Sequence, residues 1–385
     1  MTAPPRPRAP AQRADTALVT GFPRLLARGL ALRGLNIDPD NQVVLLVPPG
    51  LEEPAARFVA DLPASHRKRM RLLTGRLTDV DLGLAGGEVR ALLRDTTLIF
   101  HAASEDQGPP KALRAENLKR LSGLIDLATE VRQLRRLVVF STAFVSGDRA
   151  GTILEEELDA GQRLRTPFER AMFAVEQLAR EVMPRVPISV VRPAALIGHS
   201  RTGESVGLTE GPNYLLQLLL RLPAEMPLLL PGTGGVPFNI VPIDYVVRAA
   251  WVIATAPEGA GRTFHLTDPN PVSARQAFDL LSDVVQRATP FAGGLPSRLF
   301  RRALRLSGAE RLFPNKLALF DDLTRHVTYH CGGTLELLAG TDVVCPPFES
   351  YADTLIAWLA DYERRWRPAE PTDGAAGGAG DGGAG

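Results

Sequence analysis

ADTALVTGFPRLLARGLALRG, residues 14–34, reads as a strand, a glycine turn and a helix in succession. Residues 16–20 form a short β-rich run, Gly21 breaks it, and a helix begins after that glycine. The same alternation continues outward. Further strands are expected at 43–47, 70–74, 97–100, 137–141 and 188–192, each a near-continuous apolar run of the kind that suits a strand covered on both faces. Helices fill the gaps at 54–61 and 112–133, the latter with Leu113, Leu118, Leu121, Leu124 and Leu127 as its apolar set. Thr166-Pro167-Phe168-Glu169 opens another helix with an N-cap, a first-turn proline and a capping-box glutamate. Its apolar stripe is Phe168, Ala171, Met172, Val175, Leu178, Ala179 and Val182, while Glu169 and Arg170 are expected to face solvent. Strands alternating with helices predict an α/β protein with parallel strands joined by crossover helices.

After residue 193 the pattern loosens into a Gly/Pro-rich stretch, a very apolar segment at 214–222, leucines at 228–230 and the turn PGTGG at 231–235. Short strands return at 238–241 and 263–267, followed by helices at 274–287, 297–306 and 351–366. Residues 15–199 and 236–268 therefore form the main domain, with 200–235 and 269–367 as a smaller, mainly helical lobe over the open end of the sheet. The Pro/Arg/Ala tail at 1–14 and the Gly/Ala tail at 368–385 have nothing to bury and are expected to be disordered.

Composition narrows the function classes. The chain has 385 residues, with 44 Lys+Arg against 43 Asp+Glu, so no electrostatic case exists for nucleic acid or an anionic membrane as partner. Only Lys68, Lys111, Lys119 and Lys316 are lysine, and none lies between 119 and 316. The two cysteines, Cys331 and Cys345, read as ordinary buried thiols of a reduced, cytoplasmic protein, since no run suits a signal peptide and none offers the ~20 apolar residues of a spanning helix. His326, His330 and Cys331 superficially suggest a metal face, yet no fourth ligand stands nearby and no metal site is expected.

Val19-Thr20-Gly21, Ile99-Phe100-His101-Ala102-Ala103, Phe140-Ser141-Thr142-Ala143-Phe144-Val145 and Val191-Arg192-Pro193 stand at the ends of four strands. Together they resemble an extended short-chain dehydrogenase/reductase. The blocks RPAALIGHSRTGE (192–204), NIVPIDYVVRAA (239–250) and TFHLTDPNPVS (263–273) look most like the branch of fatty acyl-CoA reductases and carrier-protein thioester reductases. The likeness runs from about residue 15 to 290 in order and more faintly to 365. It implies a doubly wound Rossmann-type sheet with NAD or NADP laid across its strand ends, and a substrate lobe above.

The family's site is then matched position by position. Its first loop is T-G-x-x-G-x-x-G; here Gly21 is kept, Arg24 replaces the second glycine and Ala27 the third. A long side chain at Arg24 is expected to obstruct the pyrophosphate and to be strained at positive φ; alternatively, its guanidinium turns outward to a phosphate. After the second strand, where the ribose is usually read, stand Pro48-Pro49-Gly50, and after the third Arg76 takes the place of an aspartate. His101, Ala102, Ala103 and Pro193 complete the cofactor-side positions. Thr142 matches the family's Ser/Thr, but the Tyr-x-x-x-Lys pair reads Phe168 and Met172, and no Tyr-x-x-x-Lys occurs elsewhere.

A phenyl ring holds no proton to give and a thioether no charge, so the resemblance implies a protein that is non-catalytic or severely impaired, with nucleotide binding weak or absent. Such a chain serves as a binding or interaction module, with an apolar acyl-type ligand fitting its leucine-rich lobe. Two alternatives stand beside this reading. One is an NADP-dependent reductase of an acyl thioester or aldehyde that holds phosphate on Arg24 or Arg76 and uses Thr142, His101 or water for the proton. The other is a structural partner that forms a homodimer through helices 112–133 and 167–183.

Overall fold

The computed structural model describes residues 14–205, 234–285 and 322–366, with Asn213, Leu216 and Leu220 between the first two segments. The first segment runs β1 (Thr16–Thr20), α1 (Leu25–Ile37), β2 (Gln42–Val47), α2 (Glu52–Ala60), α3 (Ala64–Arg67), β3 (Met70–Thr74) and α4 (Gly86–Asp95). It continues through β4 (Leu98–His101), α5 (Pro110–Glu130), β5 (Arg136–Phe140), β6 (Gly151–Ile153), α6 (Pro167–Val182), β7 (Ile188–Pro193) and β8 (Ala195–Ile197). The second holds β9 (Ile240–Pro242), α7 (Ile243–Thr255), β10 (Thr263–Leu266) and α8 (Ala274–Val284), and the third β11 (Val327–Tyr329), α9 (Gly332–Leu338) and α10 (Ala352–Trp366).

Seven strands form the central sheet in the order β10-β7-β5-β4-β1-β2-β3, with every neighbour parallel. The expected doubly wound sheet is present. Because β1 pairs with β2 on one side and β4 on the other, the crossovers diverge there and leave a crevice beyond the strands' carboxyl ends.

Side-chain alternation sends the apolar strands into two layers. Ala17 and Val19 of β1 join the cluster built with α1 and α7, whereas Leu18 joins the one built with α5 and α6. Trp251 locks the first layer: its indole Nε1 donates to the Leu30 carbonyl at 2.9 Å and its ring lies 4.7 Å from that of Phe100. A Cβ at Gly34 would stand 2.6 Å from the Trp251 ring, so the glycine is what lets α1 seat against α7. A third cluster, with Phe238, Phe278, Tyr351 and Leu355, binds β9, α8 and α10 into a separate core.

All six strands expected before residue 193 are found, with ends displaced by a residue at most. Elements α3, α4, α7, α9, β6, β8 and β11 were not anticipated. Helix α7 is buried except along the stripe Asp244, Arg248, Val252 and Thr255, while α4 buries only Leu92. Strands of three residues are too short for alternation to register. The tails at 1–13 and 368–385, the helix expected at 297–306, the leucines at 228–230 and most of 214–222 and 231–235 lie outside the described residues.

Candidate functional site

The crevice at the β1/β4 divergence encloses about 310 Å³ and is lined by the ends of β1, β2, β3 and β4 together with Glu116 and Arg120 of α5. Gly21 makes the approach possible. It adopts φ +106°, and a Cβ there would lie 2.7 Å from the backbone of Ala102, inside any contact distance. Thr20, Gly21, Arg24, Pro48, Arg76 and Ala103 all meet in this cleft, so most of the cofactor-side positions matched from sequence are brought together. Ala27 is buried beneath β1, Ala102 is buried behind the cleft, and Pro193 is buried in β7 opposite Leu266, outside the lining.

Arg24 corrects one expectation. It sits at the N-cap of α1 with φ −59° and ψ 145°, ordinary extended geometry, so no positive-φ strain arises; Gly21 alone makes the left-handed turn. Its guanidinium, 42% exposed, reaches across the mouth to Asp106 at 2.9 Å. Arg120 pairs with Glu105 at 3.3 Å and Glu116 at 3.1 Å, while Arg76 is exposed and only loosely placed against Asp79 at 4.0 Å. Behind them His101 is buried with Nδ1 3.1 Å from the Thr20 hydroxyl. Desolvation, aided by the Arg120 charge, lowers its pKa to about 4, so the ring is neutral near pH 7.

The catalytic positions lie around β5 and α6. Thr142 is buried and caps the short turn at Ala143–Ser146, its Oγ1 accepting the Phe144 N–H at 3.3 Å. Helix α6 starts where the capping box requires: the Glu169 N–H donates to Thr166 Oγ1 at 3.0 Å, and the Glu169 carboxylate accepts the Thr166 N–H. Phe168 and Met172 project into the apolar layer shared with α5, Phe168 half-buried and Met172 only 2% exposed. Glu169 is not the solvent-facing charge expected. It is buried against Arg165 at 2.8 Å, and desolvation pushes its pKa up while the guanidinium opposes the rise. Arg170 is exposed as expected.

Sequence reading missed a buried polar network one turn further along α6. The Glu176 carboxylate, fully buried, receives Arg192 through Nε at 2.9 Å and Nη2 at 2.6 Å, as well as the Ser141 hydroxyl at 3.0 Å and Arg180 Nε at 3.0 Å. Arg192 Nη1 also meets His265 Nε2 at 3.2 Å, and His265 Nδ1 lies 2.8 Å from the His330 carbonyl. An arginine only donates and a carbonyl only accepts, so the proton sits on Nδ1. Burial, then the Arg192 charge, lowers the His265 pKa to about 3. Glu155 extends the network by accepting the His265 and Gly333 N–H groups and the Thr334 hydroxyl. The available signal was a charge inside an apolar run: Arg192 ends ISVVR and Glu176 interrupts the stripe of α6.

The remaining histidines and the cysteines are placed simply. His199 stands 3.9 Å from Asp244, whose carboxylate is bonded instead by the Ser200 N–H and hydroxyl. His330 serves the network through its carbonyl, and both cysteines are free, Cys331 buried and Cys345 half-buried. Among the described residues no group of three or more His, Cys, Asp or Glu is arranged to hold a metal ion, and no helix is long and apolar enough to cross a membrane.

In the family this chain resembles, a proton donor and a cation on this helix would assist hydride transfer. Phe168 and Met172 do not fit that chemistry. At the ribose end Pro48 and Pro49 offer no polar side chain, and the nearby Glu52 carboxylate is engaged by the Gly50 N–H at 2.8 Å. The sheet order, the crevice and the strand-end motifs together define an extended short-chain dehydrogenase/reductase fold. Residues 19–250 match the NAD-binding family described as male sterility protein, and the chain belongs to that family.

Among curated relatives, an aldehyde reductase of Aspergillus flavus is 26% identical over 281 residues, covering 68% of this chain, and a carboxylic acid reductase of Segniliparus rugosus is 24% identical over 303 residues, covering 70%. The chain spans 26% and 25% of the lengths of these two relatives. Of solved structures, the terminal R domain from the myxalamid PKS-NRPS biosynthetic pathway superimposes with a TM-score of 0.76 at 24% identity, covering 92% of both chains. The reductase domain of a nonribosomal peptide synthetase from Mycobacterium tuberculosis does so with 0.69 at 20%, covering 92% of this chain and 93% of its own.

Proposed function

We propose that this chain is a member of the reductase family that no longer transfers hydride and acts as a binding or interaction module, holding nucleotide weakly or not at all. One observation carries the reading: the positions of the family's tyrosine and lysine are a phenyl ring and a thioether packed into the apolar layer of α5 and α6. With neither proton nor charge available there, the step lacks both assistance to proton transfer and the cation that tunes it. An apolar acyl-type molecule is the ligand class that fits the family's thioester and aldehyde relatives. The test is to incubate the purified chain with NADPH or NADH and a panel of aldehydes and acyl thioesters, while titrating each nucleotide. No turnover and no micromolar binding are expected; steady oxidation of either nucleotide overturns the reading.

The competing reading, an NADP-dependent reductase with an atypical site, draws on the intact crevice and its three arginines, Arg24, Arg76 and Arg120. Of its proton donors, His101 is buried and neutral near pH 7, while Thr142 Oγ1 accepts the Phe144 N–H and keeps its own proton available. The dimer reading rests on α5 and α6, whose outward positions on α5 include Lys111, Arg114, Lys119, Asp126 and Glu130. A strict monomer at high concentration counts against it.

A further inference from the structure

Two of the three cleft arginines, Arg24 and Arg120, have carboxylate partners on one short loop, while Arg76 stands loosely against Asp79. Residues 102–109 leave β4, pass over the cleft and enter α5. Glu105 and Asp106 are consecutive on it; Asp106 takes Arg24 at 2.9 Å and Glu105 takes Arg120 at 3.3 Å. The loop does not hang there by charge alone. Buried Asn117 clamps the Glu105 backbone in both directions, accepting its N–H at 2.8 Å and donating to its carbonyl at 3.0 Å. The second oxygen of Glu105 accepts the N–H groups of Asp106 at 3.2 Å and Gln107 at 3.3 Å, which folds the loop tip back onto its own carboxylate.

We infer that this acidic loop is an autoinhibitory strap: Glu105 and Asp106 occupy, as carboxylates, the cations that a phosphate-bearing ligand of the cleft would need. The inference rests on the proposed reading in one respect, that nucleotide binding is weak, and supplies its cause. Phosphate groups and the strap compete for Arg24 and Arg120, so the binding-competent fraction is the fraction of molecules with the strap released, and the apparent affinity is reduced by that fraction. The hydride-transfer deficit at Phe168 and Met172 is independent of it. Releasing the strap therefore improves binding without creating turnover.

The experiment measures NADPH binding by its fluorescence, with inorganic pyrophosphate as competitor, for the full chain and for Glu105→Gln with Asp106→Asn. Both substitutions keep shape and remove charge. The double variant is expected to bind about tenfold tighter than the unmodified chain, with Asp106→Asn alone giving most of the gain because Arg120 retains Glu116. A charge-matched control at the amino ends of the parallel strands, opposite the cleft, Glu258→Gln with Asp40→Asn, is expected to leave affinity within about twofold, since exposed charges beyond a Debye length are screened. Equal affinity of the double variant and the unmodified chain, or an equal gain in the control, overturns the strap. For the unmodified chain at millimolar pyrophosphate, amide exchange at Asp106 and Gln107 is expected to accelerate; unchanged exchange also counts as refutation. Steady NADPH oxidation by the unmodified chain would instead sink the proposed function and leave the strap result standing.

Discussion

The two ends of the same sheet edge treat polar groups in opposite ways. Around β1 to β4 the charges are exposed or half-exposed, paired across an open cleft. Around β5, β7 and β10 they are sealed: Glu176 and Arg192 are 0% and 1% exposed, and nearly every remaining donor or acceptor about them is engaged. Between these regions lies the turn of α6 carrying Phe168 and Met172, packed in the apolar layer, with charged Glu176 on the same stripe one turn further on. Apolar side chains at Phe168 and Met172 therefore do not go with a general drying of the site. A buried ion pair stands one turn from Met172, and removing either partner alone is costlier than keeping both.

That contrast can be broken first at the sealed network. Glu176→Ala strands the buried Arg192 guanidinium and is expected to cost about 3–5 kcal/mol in urea unfolding. The paired replacement Glu176→Leu with Arg192→Met is expected to cost less, because the one guanidinium left without its carboxylate, Arg180, is part-exposed and keeps the Glu155 and Glu156 carbonyls. A single-variant loss below about 1 kcal/mol would mean the network is solvated after all.

Next in size is the dry face. Met172→Lys forces an ammonium into the α5/α6 layer and is expected to destabilise by about 3 kcal/mol. Phe168→Tyr adds only a hydroxyl to a half-buried ring and is expected to be tolerated. The double variant is expected to show no turnover without Arg24→Gly as well; activity from the pair alone would show that the β1 loop is already adequate.

Acid sensitivity sharpens the comparison from the cleft side. The folded pKa of His101, about 4, lies below the ordinary value of 6.5, so below pH 6.5 protons bind the unfolded chain preferentially. The stabilisation from keeping this ring neutral is complete above pH 6.5 and is lost as the pH falls toward 4. Comparing His101→Gln with the unmodified chain, the slope of stability against pH near pH 5 is expected to flatten by up to about 1.4 kcal/mol per unit. An unchanged slope would place the ring in contact with water.

The smallest effect belongs to the open pair. Arg24→Ala, losing an exposed partner of Asp106, is expected to change stability by less than about 1 kcal/mol. A larger loss would make the strap a structural brace, which the calorimetric melt of this variant reads directly.

How much of this was legible beforehand differs between the same two regions. The strand runs, Gly21, the Thr166 cap and the absent Tyr-x-x-x-Lys could be read because each depends on neighbours within a few residues. The backbone angles of Arg24 could not, because they depend on Gly21 having absorbed the turn. Glu169 was misjudged for the same reason: a capping glutamate is solvent-facing only if nothing covers it, and here Arg165 and Asp322 of a distant segment do.

By itself the sequence determined the alternating α/β pattern, the strand ends that bear the family's motifs, and the loss of the hydroxyl and ammonium, since side-chain chemistry and local periodicity are written residue by residue. Only the tertiary structure decided which charges meet. Arg24 finds Asp106, Arg120 finds Glu105 and Arg192 finds both Glu176 and His265 across separations of 15 to 82 residues. Ion pairing depends on distance and burial, and both are set by the folding of the whole sheet.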